Sequence, residues 1–286
     1  MNILALGSTG KFAGHVVPAL AARGHHVRGF VHDPAKAARA RAAGAQETVV
    51  GDLRTGSLPG ALEGMEGMFL ILPAFAPDAA ELGVAAVQAA SAAGVRRVVF
   101  NSVYHPSLSL VNHAAMQPVE EALYRSGVEF TVLQPAMYLQ GLSGSLRNAL
   151  RTGRIAMPYS AESRMSLVDY RDVADAVAEA FASDALVGGT FELAAPGMYT
   201  RNQLAEAMSR RAGKEISPIT VEPGDALAGM PAGYARDGLN AMFNDYTRHG
   251  LHGGNSLVLR TVLGRSPRTL EGYLDELAVS QTSSAA

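Results

Sequence analysis

Short, continuous apolar runs and longer stretches of helical periodicity take turns along the first half of the chain. The runs at residues 2–6, 27–31, 47–50, 68–72, 95–100 and 130–133 are rich in apolar residues rather than strictly alternating, the pattern of strands covered on both faces. Between them, residues 11–23, 34–43, 79–93 and 114–126 carry apolar positions at helical spacing. Strands and helices that alternate across short breaks predict an α/β fold, a doubly wound parallel sheet with helices on both faces. Pro18 falls inside the first helical stretch and predicts a kink there.

Beyond about residue 135 the alternation loosens, and from Pro196 onward the chain reads as helices joined by long polar connections. A helix over residues 198–213 opens at Thr200, where Gln203 completes a capping box. Leu270, Tyr273, Leu274 and Leu277 form one apolar stripe after Pro267, and the small polar tail from Ser280 predicts a frayed end. The expected organisation is a core over residues 1–135, followed by residues 136–286. The latter hold the remaining core strands and a smaller, mainly helical C-terminal part, integrated with the core into one unit. No internal repeat is present.

Composition narrows the function. The 286 residues are 48% apolar, which allows a sizeable core. Lys plus Arg is 24 against 26 Asp plus Glu, and no long basic run occurs, which argues against a nucleic-acid partner. Cysteine is absent, removing disulfides, thiolate nucleophiles and thiolate metal sites together. Neither a signal-peptide pattern nor an apolar run of about eighteen residues is found, so a soluble, cytoplasmic protein without a membrane partner is expected. His25 and His26 are adjacent and His249 and His252 are three apart, but neither pair has a third ligand at suitable spacing, so no metal is expected. The segment GLSGS at residues 141–145 fails the last position of a nucleophile elbow.

The sharpest chemical signal is the opening, MNILALGSTGKFAG. After the first apolar run, Gly7 permits a tight turn, Gly10 lets backbone approach a phosphate, and Ala13 is small where the helix crosses the strand. NH groups at the helix start, with the positive end of its dipole, favour a diphosphate. Val16, Val17 and Leu20 continue an apolar helix that Gly24 ends before the second strand, which is the βαβ context of a dinucleotide site. The bland alternative is a plain strand-to-helix turn.

Further motifs accompany this one: VRGFVHDPAKA after the second strand, GDL after the third, GVRRVVFNS at the fifth, then VEEALYRSGVEFTVLQPAMYLQ and SLVDYRDVADA. With GSTGKFA they make the chain resemble the NmrA-like family of atypical short-chain dehydrogenase/reductases, from Met1 to about Ala195. GRSPRTLEGYLDEL is similar to the closing helix of that family. The resemblance implies a Rossmann fold, a bound NAD(P)(H), and either reductase activity on a small-molecule substrate or nucleotide sensing without chemistry. It also implies site residues. Gly7, Thr9, Gly10, Lys11, Phe12 and Ala13 would surround the diphosphate, Asp52 and Leu53 would lie beside the adenine, Leu72 and Pro73 over the ribose, and Ser102 and Pro135 beside the nicotinamide.

Where an NAD-preferring enzyme ends its second strand with an acidic residue on the ribose hydroxyls, this chain reads Phe30, Val31, His32. In the family an Arg often follows the Val and grips the 2′-phosphate. His32 in its place, with Lys36 and Lys11 adding charge, points to NADP(H) ahead of NAD(H). Asp33 would repel a phosphate, but it reads as opening the next helix, with Pro34 at the first helical position. Asp52 has an equal reading as an N-cap, Asp172 reads as capping or packing, and His32 has a second reading as a solvated loop residue.

Short-chain dehydrogenases usually protonate a reduced carbonyl through a Tyr assisted by a Lys four residues on. No Tyr here has Lys or Arg at that spacing, and the aligned positions read Asn112 and Met116. A Tyr without that cation keeps a pKa of about 10, which suits it poorly as an acid at neutral pH. The expected function is therefore an NAD(P)H-dependent oxidoreductase passing hydride to a conjugated acceptor, such as a quinone, an azo compound or a cationic dye, with water supplying any proton. The protein's part would then be positioning. The other expectation is a non-catalytic NAD(P)-binding redox sensor acting through a regulatory protein partner, and a homodimer is open to either.

The weak catalytic candidates are His113, which as a histidine titrates near neutrality, and Tyr104. A third reading makes His113 the acid of a carbonyl or enone reductase, against a bland one as a surface loop histidine. Tyr138 and Phe243, the latter with Met242, are candidate substrate-pocket residues that core packing would explain equally well.

Overall fold

A computed structural model of the chain describes residues 1–282, with side chains to residue 278. It divides into two compact units, Met1–Pro135 with Tyr170–Leu193, and Ala136–Asp169 with Ala194–Ala286. The first unit thus takes in a segment from well beyond residue 135.

Six strands of that unit follow the apolar runs: β1 (Asn2–Ala5), β2 (His26–Val31), β3 (Glu47–Val50), β4 (Gly67–Ile71), β5 (Arg97–Asn101) and β6 (Glu129–Pro135). A seventh, Gly189–Leu193, pairs with β6 and lies outside the six that the apolar runs predict. Every pairing is parallel, and the spatial order is Gly189–Leu193, β6, β5, β4, β1, β2, β3. Ile3, Leu4, Met68, Phe69, Leu70, Val98, Val99 and Phe100 are wholly buried, as a sheet covered on both faces requires. This is the Rossmann-like, doubly wound architecture.

One face packs Leu4, Met68, Leu70, Val98 and Phe100 in a core shared with helices Ala79–Ala92 and Gln117–Arg125. These two helices approach closely at Gly83, where a Cβ would overlap Val119 and come within 2.8 Å of Leu72. On the opposite face, helix Val16–Ala22 packs against helix Tyr170–Ala182.

The expected kink at Pro18 does not arise. The first helical stretch begins as a 3₁₀ turn, Ala13–His15, and becomes α-helical only at Val16–Ala22. Pro18 therefore falls in a first turn, where a missing NH and a fixed φ are tolerated. Residues 114–126 likewise divide into Val111–Ala114 and Gln117–Arg125, with Pro118 opening the second helix.

The second unit is helical but not only helical. Helices Leu139–Thr152, Arg201–Ala212, Tyr234–His249, Leu257–Leu263 and Leu270–Thr282 accompany two small sheets, one of Met198–Tyr199, Met165–Val168 and Met137–Tyr138, the other of Ser217–Thr220 and Arg154–Met157. The capping box forms as expected: Gln203 N donates to Thr200 Oγ1 at 3.2 Å and Thr200 N to Gln203 Oε1 at 2.9 Å. Leu270, Tyr273, Leu274 and Leu277 are buried. Their helix continues through Thr282, and the rest of the tail expected to fray, residues 283–286, lies outside the described residues. Among the described residues no helix is long and apolar enough to cross a membrane.

Candidate functional site

The strand order of the first unit reverses between β1 and β4, and loops leaving the carboxyl ends of those strands diverge there, which opens a crevice. A groove of about 430 Å³ occupies this place. That volume lies within the range of about 300–1,000 Å³ found for small-molecule clefts.

Its floor is the turn after β1. Gly7 has a φ of 66°, a conformation that favours glycine, and Gly10 N donates to the Gly7 carbonyl at 2.7 Å. A Cβ at Gly10 would sit 3.1 Å from that carbonyl oxygen, and one at Gly7 would sit 3.3 Å from the Cβ of buried Ala13. Ser8 Oγ donates to the Phe30 carbonyl at 3.0 Å, tying the turn to β2. The donors expected from the start of a long helix are differently arranged. The NH groups of Gly10, Gly14 and His15 are spent on the carbonyls of Gly7, Gly10 and Phe12, and a 3₁₀ turn follows. Any diphosphate here would meet a glycine turn rather than the macrodipole of a long α-helix.

Gly7, Thr9, Gly10, Lys11, Phe12, Ala13, His32, Lys36, Asp52, Leu53, Leu72 and Pro73 all line this one groove. Ser102 and Pro135 do not. Ser102, after β5, donates its hydroxyl to Glu120, which also accepts from Gln134 Nε2 at 2.9 Å, and the Pro135 carbonyl accepts from Tyr104 N at 3.1 Å. Sequence reasoning missed Leu6, Phe30, Gly51, Arg54, Ile71 and Leu82, which complete the lining. Arg54, next to the GDL motif, carried the one available signal.

Charges alternate along the rim. Asp52 Oδ1 accepts from Arg54 N at 2.9 Å, capping the 3₁₀ turn Leu53–Thr55, while its Oδ2 lies 3.5 Å from His32 Nδ1. Both readings of Asp52, cap and groove wall, thus describe one side chain. Arg54 grips Asp78 with two hydrogen bonds of 2.7 and 2.8 Å, which hold the Asp78 carboxyl below its ordinary range and raise the guanidinium. Asp33 Oδ1 accepts from Ala35 N at 2.9 Å, so it caps the next turn with Pro34 behind it, and Lys36 Nζ stands 4.0 Å from its other oxygen. His32 is 79% exposed, so it meets solvent as well as Asp52.

The glycine turn leaves backbone open to a diphosphate where a Cβ would intrude. Leu53, Ile71, Leu72 and Leu82 supply apolar walls for a flat ring, and Lys11, Lys36 and Arg54 supply positive charge beside the His32 imidazole. These residues fit a dinucleotide.

The catalytic candidates lie elsewhere. Tyr104 is buried, and that burial, with the charge of Glu192 behind it, pushes its hydroxyl above the ordinary value. His113 is buried, not a surface residue, because helix Val111–Ala114 turns it inward, where Nδ1 donates to the His105 carbonyl at 3.1 Å. Tyr138 and Phe243 are half-buried in the second unit, the former on strand Met137–Tyr138 and the latter, with Met242, on helix Tyr234–His249. Asp172 is buried in the first turn of Tyr170–Ala182.

Comparison with known proteins agrees with this geometry. The chain is 28% identical over 256 residues to the NAD(P)H azoreductase of Xenophilus azovorans, covering 84% of this chain and 86% of that protein. It is 26% identical over 279 residues to quinone oxidoreductase 2 of Escherichia coli (strain K12), covering 95% and 96%. The fold matches that of the Citrobacter sp. triphenylmethane reductase complexed with NADP(H), with a TM-score of 0.83 at 21% identity over 97% of this chain and 100% of that one. The model of the NmrA-like family matches residues 1–274. The chain belongs to the NmrA-like family.

Proposed function

We propose that the chain binds NAD(P)(H) in the groove at the carboxyl ends of β1 to β4 and passes hydride to a conjugated acceptor such as a quinone or an azo compound. The observation that carries this reading is the turn from Gly7 to Gly10, set where the strand order reverses and tight at Gly10, where a Cβ would sit 3.1 Å from the Gly7 carbonyl oxygen. The names of the azoreductase and quinone oxidoreductase relatives support it.

The bound nucleotide would supply the hydride. Gly7 and Gly10 would admit its diphosphate to the backbone, and Leu53, Ile71, Leu72 and Leu82 would wall its adenine. NADP(H) is favoured over NAD(H) because no carboxylate at the end of β2 faces the groove: Asp33 is occupied in capping, while His32 and Lys36 line the wall. Reaction through a Tyr acid is disfavoured, because no Tyr has Lys or Arg four residues on and Tyr104 is held protonated by burial. Orientation of the reactants and exclusion of water carry the catalysis.

The test is purified protein with NADPH or NADH and a panel of quinones and azo compounds, followed by nicotinamide absorbance. Steady loss of absorbance is the expected result. Tight binding by calorimetry with no turnover would favour a nucleotide-binding sensor instead, and no heat with either nucleotide would remove both readings.

A further inference from the structure

One cation on the wall of the groove is fixed at both ends although its side chain is 47% exposed. Arg54 lines the groove from the 3₁₀ turn Leu53–Thr55. Its backbone NH donates to Asp52 Oδ1 at 2.9 Å, while its Nε and Nη2 donate to the two carboxylate oxygens of Asp78 at 2.7 and 2.8 Å. Asp78 heads helix Ala79–Ala92, yet its side chain caps no NH of that helix. An aspartate cap is ordinarily worth at least as much as an exposed ion pair, so stability alone does not explain why the carboxylate is spent on Arg54. The pair joins the two segments that bring Leu53 and Leu82 to the groove, since Leu82 N donates to the Asp78 carbonyl one helical turn on.

A guanidinium held in this way has one edge of its fork committed. Nη1 also has Asp52 Oδ1 3.9 Å away, so two carboxylates offset its charge, a poor arrangement for gripping a phosphate. What the group still offers is its flat face, and Arg planes stack on nucleobases. Leu53, Leu72 and Leu82 line the same groove and supply the apolar company that a flat ring needs.

We propose that Arg54 recognises the adenine ring of the nucleotide by stacking its guanidinium plane, and that Asp78 is its positioning residue. This rests on the NAD(P)(H)-binding reading above and assigns Arg54 to one part of that nucleotide. Adenine is common to NADH and NADPH, so Arg54 contributes affinity to both alike and leaves the choice between them to His32 and Lys36. Lysine is no substitute, because an ammonium is a point charge without a plane. Releasing Arg54 from Asp78 changes its role: the freed fork carries an uncompensated charge that favours the additional phosphate of NADPH.

Fluorescence titration of nucleotide-free protein with NADPH and with NADH tests this in Arg54→Ala, Arg54→Lys, Asp78→Asn and the double variant R54A/D78N. R54A should weaken both nucleotides about tenfold, with their affinity ratio held within about twofold and the melting temperature of the nucleotide-free protein nearly unchanged. R54K should lose nearly as much as R54A. D78N should weaken NADH about threefold and, at low salt, raise the preference for NADPH by a similar factor. That gain should vanish in R54A/D78N, a result that a merely structural role for Asp78 would not produce. The proposal is overturned if R54A keeps both affinities within about twofold, if R54K binds like the parent, or if R54A weakens NADPH alone, which would make Arg54 a phosphate ligand. A D78N protein that binds like the parent, or a preference that persists in the double variant, overturns the part assigned to Asp78. A parent that binds neither nucleotide removes the NAD(P)(H) reading and this one with it. A parent that binds both, with R54A unaffected, removes this one alone.

Discussion

His32 and Asp52 meet at the rim of the groove, Nδ1 to Oδ2 at 3.5 Å, so the histidine at the end of β2 shares its field with a carboxylate from the loop after β3. On the proposed NADP(H) reading, selection for a 2′-phosphate at this place would be a balance between His32 and Lys36 on one side and Asp52 on the other. Replacing His32 and Lys36 together by Ala should weaken NADPH binding about tenfold, or ~1.4 kcal/mol, and NADH binding much less. Asp52→Asn should shift the ratio the other way. Fluorescence titration of both nucleotides at low salt reads these effects, and equal losses for the two would contradict the assignment.

Gly10→Ala tests the cradle itself. The added Cβ would lie 3.1 Å from the Gly7 carbonyl oxygen, in the wall proposed to hold the diphosphate. We expect NADPH affinity to fall at least about tenfold, ~1.4 kcal/mol, with the melting temperature nearly unchanged. Gly7→Ala should differ by also lowering the melting temperature, because a left-handed backbone costs about 1–2 kcal/mol with a Cβ present.

His25 gives the fold a pH dependence far from the groove. It is buried with its ring edge toward Phe181, and its Nε2 has no hydrogen-bond partner among the described residues. Burial first, then the charges of the Met1 amino group and Arg23, hold it below the ordinary histidine value, against an opposing pull from Glu66. The unfolded chain therefore binds this proton more readily than the folded one. The stability it contributes is complete above about pH 6.5 and is lost as pH falls from there through the lowered value. Thermal melts across that window should show a decline that His25→Leu flattens, and parallel curves would refute the assignment.

Arg97 is expected to be a principal support of the sheet edge. It is 1% exposed, and it donates to the Ala180 and Ser183 carbonyls at 3.1 Å each and to Glu129 at 2.7 and 2.8 Å, with Asp184 beside them. Arg97→Met should cost about 2–4 kcal/mol in urea unfolding, because buried carbonyls lose their donors. Arg97→Lys should recover only part, since a point charge cannot reproduce the fork. A loss below about 0.5 kcal/mol would mean that water replaces the guanidinium.

The strands β1 to β6 were legible because each holds a short cluster of apolar residues between turn signals, and the Gly7–Gly10 turn because its conformational demand is written in residue type. The strand Gly189–Leu193 was not. Its burial alternates and its outward Thr190 and Glu192 break any apolar run, so only pairing with β6 identifies it. Leu82 joins the groove through the fold, and no local pattern distinguishes it from other helix residues. His105 Nδ1 meets Glu192 Oε1, 87 positions away in the chain, a relation that exists only in three dimensions. The surface-loop alternative for His113 fails because helix Val111–Ala114 turns it inward, which no residue pattern announces.

The first unit closes with a strand that the ribosome delivers late. Every residue lining the groove precedes residue 83, yet β6 has a bare edge, and Arg97 lacks Ala180, Ser183 and Asp184, until residue 193 has emerged. An uncovered strand edge is a template for pairing with other chains. A fragment ending at Pro135 should therefore aggregate despite carrying the whole cradle, and the nascent protein must shelter its half-built sheet until the missing neighbour arrives.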